Sequence, residues 1–247
     1  MKLQCYCLHK SGSMFIYKLF FKITQDNNIP YYSVNNNPPN HNLWNNKMEN
    51  FILCPIRYVT PPNYDSNIKY IIHLRNPIDL LISQYYSFGF THPPPPTDQG
   101  WPDCAFKLFN ERRKKIQSQT IDEYCLSDEN INDINNKYNN FLIWINKYKD
   151  KENVFISKYD NMYYDFSNWL KDIFNFLSLE TYNETLSTFE KEFSNKYEPY
   201  IKNDPKTACP YRRSGLSKQY LFEIKKETLD LVINKLSDNI KNSFDFI

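Results

Sequence analysis

The sequence predicts an α/β fold with three layers, α/β/α, built on a central, mainly parallel sheet covered by helices on both faces. Short apolar, β-branched runs alternate along the chain with segments of helical period, the pattern of strands joined by crossover helices. The strongest of these runs, IKYIIHL at 68–74, stops at Arg75-Asn76-Pro77 and leads into a helix. A length of 247 residues suits one large domain with a sizeable core.

Residues 3–8 read as a short buried strand, 9–13 as a turn and 14–22 as an apolar helix. A short strand is predicted at 31–34, inside an Asn- and Pro-rich stretch at 26–50 that is mostly loop. Residues 51–56 and 68–74 are strands. Pro77 suits a first helical turn, and a helix then runs over 78–88. Pro93 to Pro96 exclude regular structure in the next loop, near 89–103. Helices follow at 102–117 and 129–149, the second with Ile131, Ile134, Tyr138, Phe141, Leu142 and Ile145 on one face. A strand at 154–159 and helices at 166–177 and 185–196 come next. Residues 203–215 read as loop, and one amphipathic helix closes the chain at 225–242. No internal repeat is visible, so residues 1–247 are read as a single domain with loop insertions near 26–50 and 89–103.

Composition narrows the function. A net charge of +2 gives no field for nucleic acid, so any anion must be recognised locally. Cysteines at 5, 7, 54, 104, 125 and 209 fit no zinc spacing and read as reduced, mostly buried thiols. The first apolar stretch is broken by Lys10, Lys18 and Lys22, and no run is long enough to span a membrane. A soluble, cytoplasmic protein is expected, and no metal.

Three segments carry chemistry. His9-Lys10-Ser11-Gly12-Ser13-Met14-Phe15 lies between a strand and a helix. There, unpaired amides and the helix dipole favour an anion, Gly12 allows close approach, and Lys10 adds a mobile point charge. Alone, a Lys-Ser-Gly-Ser turn is more often a solvated turn, and it lacks the GxxxxGK[ST] pattern of ATP and GTP loops. Arg75 ends a buried strand, where α/β sheets bind ligands, and offers a planar fork to a phosphate. Ser83 follows about two helical turns later. The structural alternative pairs Arg75 with Asp79. Arg212-Arg213 is a basic pair in a loop-like stretch and reads by itself as solvated surface.

Taken in order, these segments resemble the family of sulfotransferases that use 3′-phosphoadenosine-5′-phosphosulfate (PAPS). Lys10-Ser11-Gly12-Ser13 resembles its 5′-phosphosulfate loop, Lys-Ser-Gly-Thr-Thr-Trp. Arg75-Asn76-Pro77 through Ser83 and Tyr85-Tyr86 resembles its 3′-phosphate motif. Lys158-Tyr159-Asp160-Asn161-Met162, with Phe174-Asn175-Phe176-Leu177, resembles its Tyr-Glu-Asp-Met strand end and following helix. Arg212-Arg213 resembles its Arg-Lys-Gly loop.

The resemblance implies a P-loop-like fold and transfer of a sulfonyl group from PAPS to a hydroxyl or amine, releasing 3′-phosphoadenosine 5′-phosphate (PAP). Lys10, Ser11, Gly12, Ser13 and Met14 would line the 5′ side, with Phe15 where the family stacks a tryptophan on adenine. Tyr159 would contact the purine, and Arg75, Ser83, Arg212 and Arg213 would hold the 3′-phosphate. Lys10 would also stabilise the leaving oxygen. The chain departs from the family at Met14, which replaces a hydroxyl, at Arg213 and Ser214, and in lacking Gly-Asp-Trp after them. The family histidine about twenty residues before the arginine is missing; that neighbourhood is Leu53-Cys54-Pro55-Ile56-Arg57. His73 lies in a strand and reads as a core histidine. His92 is the candidate base, with a carboxylate as the alternative. The acceptor is expected to be a small molecule or carbohydrate. The competing readings are another phosphate-loop transferase and a nucleotide-binding protein without catalysis.

Overall fold

A computed structural model describes residues 1–32, 50–57, 64–95, 103–194 and 215–246. The expected strand at 31–34 and helix at 102–117 are therefore seen only in part, and the Arg212-Arg213 segment lies outside the described residues. Two compact units are distinguished, Met1–Arg75 with Asn140–Glu198, and Asn76–Asn139 with Pro199–Ile247.

The first unit holds a five-stranded, all-parallel sheet. Its strands are β1 (Lys2–Cys7), β2 (Tyr31–Tyr32), β3 (Phe51–Ile56), β4 (Lys69–Leu74) and β5 (Val154–Lys158), in the spatial order β2-β3-β1-β4-β5. β3 is buried along its whole length and β1 and β4 along all but their first residue. Continuous apolar runs are what a parallel sheet covered on both faces requires. Between Gln4 and Tyr6 the β1–β3 register slips, with Gln4 opposite Leu53 but Tyr6 opposite Ile56. This bulge takes up Pro55, which has no amide to give the ladder.

Helix α1 (Ser13–Asp26) lays Ile16, Leu19, Phe20 and Ile23 into the core, each at most 1% exposed. Burying each such side chain contributes about 2 kcal/mol. Trp169, Leu170, Ile173, Phe174 and Leu177 of a later helix complete the same cluster.

In the second unit α2 (Pro77–Tyr86) is capped by Asn76, whose Oδ1 accepts from the Ile78 amide at 2.9 Å. The chain then widens into a π-helical turn, Ser87–Thr91, so the helix expected over 78–88 ends early. The carbonyls of that turn are taken by α3 (Asp103–Gln117): Arg113 Nε donates to Phe88 and Gln117 Nε2 to Gly89. α3 approaches closely at Gly89, where an added Cβ would stand 2.7 Å from Ile116 Cγ2. Next comes α4 (Ile121–Leu126), which the sequence pattern did not predict and which is held by a capping box of Thr120 and Glu123. In α5 (Asp128–Tyr148) the six residues expected on one face are all buried.

Back in the first unit, α6 (Tyr159–Tyr164) starts directly where β5 stops, so Tyr159 opens a helix rather than ending a strand. α7 (Phe166–Leu177) has the expected bounds, and α8 spans Tyr182–Ser194.

The single closing helix expected at 225–242 is corrected to α9 (Tyr220–Glu223), α10 (Lys226–Lys235) and α11 (Asp238–Lys241). Leu236 and Ser237 are extended. Ser237 is drawn to α5 instead, its amide donating to Asn135 Oδ1 at 3.0 Å and its hydroxyl to Asn139 Oδ1 at 2.8 Å. Among the described residues no helix is long and apolar enough to cross a membrane, and no cluster of three or more His, Cys, Asp or Glu side chains could hold a metal ion. Cys5, Cys7, Cys54 and Cys125 are buried and free, while Cys104 is exposed.

Candidate anion site at the strand-order switch

The strand order defines where a ligand belongs. From β1 the chain goes to β2 and β3 on one side of the sheet, whereas β4 and β5 lie on the other. The connections therefore diverge beyond the carboxyl ends of β1 and β4, leaving the crevice in which α/β sheets bind ligands. Lys10 follows β1 and Arg75 follows β4, so the two predicted cations flank this point.

Their link is direct. Lys10 has φ +76° and Gly12 φ +84°, two left-handed residues in three, which for lysine costs about 1 kcal/mol. The Lys10 carbonyl accepts from Arg75 Nη1 at 3.0 Å. The Ser11 hydroxyl donates to the Leu8 carbonyl at 2.6 Å, closing the turn.

Gly12 is the N-cap of α1, which has neither a side-chain cap nor an acidic residue in its first turn. α2, α4 and α7 are each capped by a side chain, from Asn76, Thr120 and Asp165. At α1 the turn's own backbone meets the first amides, with Phe15 N and Ile16 N both reaching the Gly12 carbonyl. The positive end of this helix dipole is not offset by a carboxylate of its own first turn.

Tyr159, 6% exposed, holds the loop from below. A Cβ on Gly12 would lie 3.0 Å from its Cε2 and 3.3 Å from its Cδ2. The Arg75 guanidinium stacks on the same ring, 4.4 Å from its centroid. Glycine, tyrosine and arginine thus form one stack. Phe15 meets Phe166 and Phe189 edge-on, at 5.8 and 5.5 Å between ring centroids, and belongs to an aromatic cluster at the core.

Burial, then the Arg75 and Arg57 guanidiniums, hold the Lys10 ammonium down to about 8. Both of these described neighbours are cations. Arg57 is not among the residues expected from sequence, yet Ile56-Arg57 repeats the pattern of Leu74-Arg75, an arginine directly after a buried strand. That repetition was the available signal.

His73 is fully buried, as a core histidine should be. Trp169 Nε1 can only donate, and gives its hydrogen to Ser157 Oγ at 2.8 Å. The same Ser157 oxygen lies 2.7 Å from His73 Nδ1, a second hydrogen bond on one hydroxyl. Burial pushes this histidine down to about 3; the Ser11 backbone pulls the other way, without a well-aligned bond to Nε2. His73 is therefore neutral, and it lies directly beneath the loop.

The remaining predicted residues lie in the second unit. Ser83 is half-buried on α2. His92 ends the π turn, with its Nδ1 2.7 Å from the Pro93 carbonyl, a pure acceptor. That contact places a hydrogen on Nδ1. Asp79, fully buried, accepts the amides of Lys218 at 2.8 Å and Tyr220 at 3.3 Å. Its carboxylate binds the segment that follows the Arg212-Arg213 pair. The burial-raised thiols of Cys7 and Cys54 are inert, as expected.

Comparison with known proteins bears on family and fold. A family model described as a sulfotransferase domain matches residues 41–241. That span contains Arg57, Arg75, Ser83, Tyr159, Arg212 and Arg213 and begins after the Lys10 loop. Among curated proteins there is no match. Among solved structures, the mouse sulfotransferase SULT7A1 complexed with PAP is similar, with a TM-score of 0.60 at 15% identity, over 98% of this chain and 87% of that one. This likeness carries the fold. With four-fifths of its length matched by the family model, the chain belongs to the sulfotransferase family.

Proposed function

We propose that the whole chain, acting as one domain, moves a sulfonyl group from PAPS to a hydroxyl or amine of a polar small-molecule or carbohydrate acceptor in the cytoplasm, releasing PAP. The observation that carries this reading is the bond from Arg75 to the Lys10 carbonyl at the strand-order switch. It ties the group expected on the 3′-phosphate to the loop expected on the 5′-phosphosulfate. A nucleotide phosphorylated at both ends would answer both cations.

In this reading Lys10, Ser11, Gly12, Ser13 and Met14 bind the 5′ side, and Phe15 borders the purine. Arg75, Ser83, Arg212 and Arg213 bind the 3′-phosphate, and Tyr159 supports Arg75 and Gly12 from beneath. The acceptor oxygen forms its bond to sulfur as the bond from sulfur to the bridging phosphate oxygen breaks. Such in-line transfers depend on positioning and charge stabilisation rather than covalent catalysis. Lys10 stabilises the leaving oxygen. His92 takes the acceptor proton on Nε2, while its Nδ1 is engaged by the Pro93 carbonyl. The resemblance calls for no metal.

Calorimetry with PAPS, PAP and ATP, followed by turnover of PAPS against an acceptor library, tests the proposal. Binding of both 3′-phosphorylated nucleotides with little affinity for ATP is expected. Tight binding of ATP alone would replace the reading with that of a phosphate-loop transferase. Binding without turnover on any acceptor would leave a nucleotide-binding protein.

A further inference from the structure

The Lys10 loop is bracketed by guanidiniums from both neighbouring strands. Arg75 follows β4, and Arg57 follows β3 on the opposite side of β1. The bulge in β3 sets Ile56 opposite Tyr6, so the next residues, Cys7 and Arg57, stand level at the foot of the loop. From there Arg57 reaches across to the first turn of α1, where its Nη2 lies 3.1 Å from Met14 Sδ. A thioether is a weak acceptor, a poor match for a guanidinium with five donors. Its Nε is enclosed and makes no hydrogen bond.

We infer that Arg57 is an anion-binding residue of this site and that its guanidinium holds the sulfonyl oxygens during transfer. This rests on the donor reading given above. With Arg75 on the 3′-phosphate at the β4 side, the far end of the 5′ chain lies toward β3, where Arg57 stands. A planar fork that stays charged at all working pH values suits oxygens whose charge persists through the reaction. The field at Lys10 agrees, because the Arg57 guanidinium helps to lower its ammonium. The residue also occupies the stretch from which the family histidine is missing, so the donor's reacting group is met there by a fixed cation rather than a base.

The test compares two nucleotides that differ only in the sulfonyl group. Calorimetry with PAPS and with PAP is run on the wild-type chain, Arg57→Gln and Arg57→Lys, with unliganded melting temperatures as a check on folding. A lost hydrogen bond to a charged group corresponds to a ~10- to 100-fold weakening. Arg57→Gln is expected to lose that much for PAPS while PAP stays within about twofold, and Arg57→Lys is expected to recover part. Equal losses for both nucleotides would overturn the assignment in favour of a loop-shaping role. Unchanged PAPS affinity with a raised acceptor KM would overturn it in favour of an acceptor contact. A wild-type chain that binds neither nucleotide would overturn the donor reading itself, and this inference with it.

Discussion

Replacing Lys10 with methionine should make the unliganded protein more stable, although it removes the residue expected to matter most for transfer. Burial and two guanidiniums hold the ammonium at about 8 against an ordinary value of 10.5. At 1.36 kcal/mol per pH unit, carrying that charge costs the native state roughly 3 kcal/mol below pH 8. Methionine keeps most of the stem and none of the charge. The left-handed backbone at this position is strained for either residue, so it cancels in the comparison. Hydrogen bonds that the ammonium makes in the wild type offset part of the gain, and a stabilisation of about 1–3 kcal/mol at pH 7 is expected. The sign of the pH dependence is fixed. The native state releases the Lys10 proton before the unfolded chain does, so wild-type stability gains from this group between pH 8 and 10.5. Tyrosines and cysteines also titrate there, but they are common to both proteins. The difference between variant and wild type should therefore be largest at pH 7 and shrink toward pH 10.5. Urea denaturation at several pH values measures it. A Lys10→Met protein less stable than wild type at pH 7, or a difference independent of pH, would refute the lowering of the Lys10 ammonium by burial and the two guanidiniums. With PAP added the order should reverse, because the wild-type chain alone gains stability through this charge.

Gly12→Ala should cost about 1–3 kcal/mol, from the left-handed backbone and from displacing the Tyr159 ring. It should also weaken PAP binding, since Arg75 rides on that ring; urea melts and calorimetry unchanged from wild type would refute the stack. Ser157→Ala strips a shared partner from His73 and Trp169, both buried, and should cost about 2–4 kcal/mol; a loss under about 1 kcal/mol would show that the bridge holds nothing in place. Asp79→Ala should speed hydrogen exchange at the Lys218 and Tyr220 amides, measured residue by residue, while the amides of β1 keep their protection. Unchanged exchange there would mean that the carboxylate does not anchor the segment.

What could be read from sequence divides along the range of the interactions involved. β3 and α7 have the predicted bounds because their apolar runs are fenced by polar residues close by in the chain. α4 was missed although Thr120-x-x-Glu123 is a capping signature that the sequence displays. The break at Leu236-Ser237 had no local signal; Asn135 and Asn139, about a hundred residues upstream, decide it. Arg57 had one local signal, its place directly after a buried strand, but only the β1–β3 register brings it beside the Lys10 loop. His73, by contrast, was legible as a core residue from its place inside a strand. Its link through Ser157 to Trp169 was not, since it joins three separate elements.

The cluster of cations has a physical explanation in the topology itself. A parallel sheet delivers the carboxyl ends of β3, β1 and β4 side by side, so residues that follow these strands become neighbours whatever their distance in sequence. Arg57, Lys10 and Arg75 are three such residues, and two of them are held by contacts of their own. Arg75 is fixed by the Tyr159 face and the Lys10 carbonyl, and Lys10 by a turn closed through Ser11 and Leu8. A flexible loop would relax by splaying the charges into water. Here the backbone keeps the Lys10 and Arg75 positions together. The loop that looks unremarkable as Lys-Ser-Gly-Ser thus owes its chemistry to the strands on either side, and the depressed ammonium of Lys10 is the measurable trace of that arrangement.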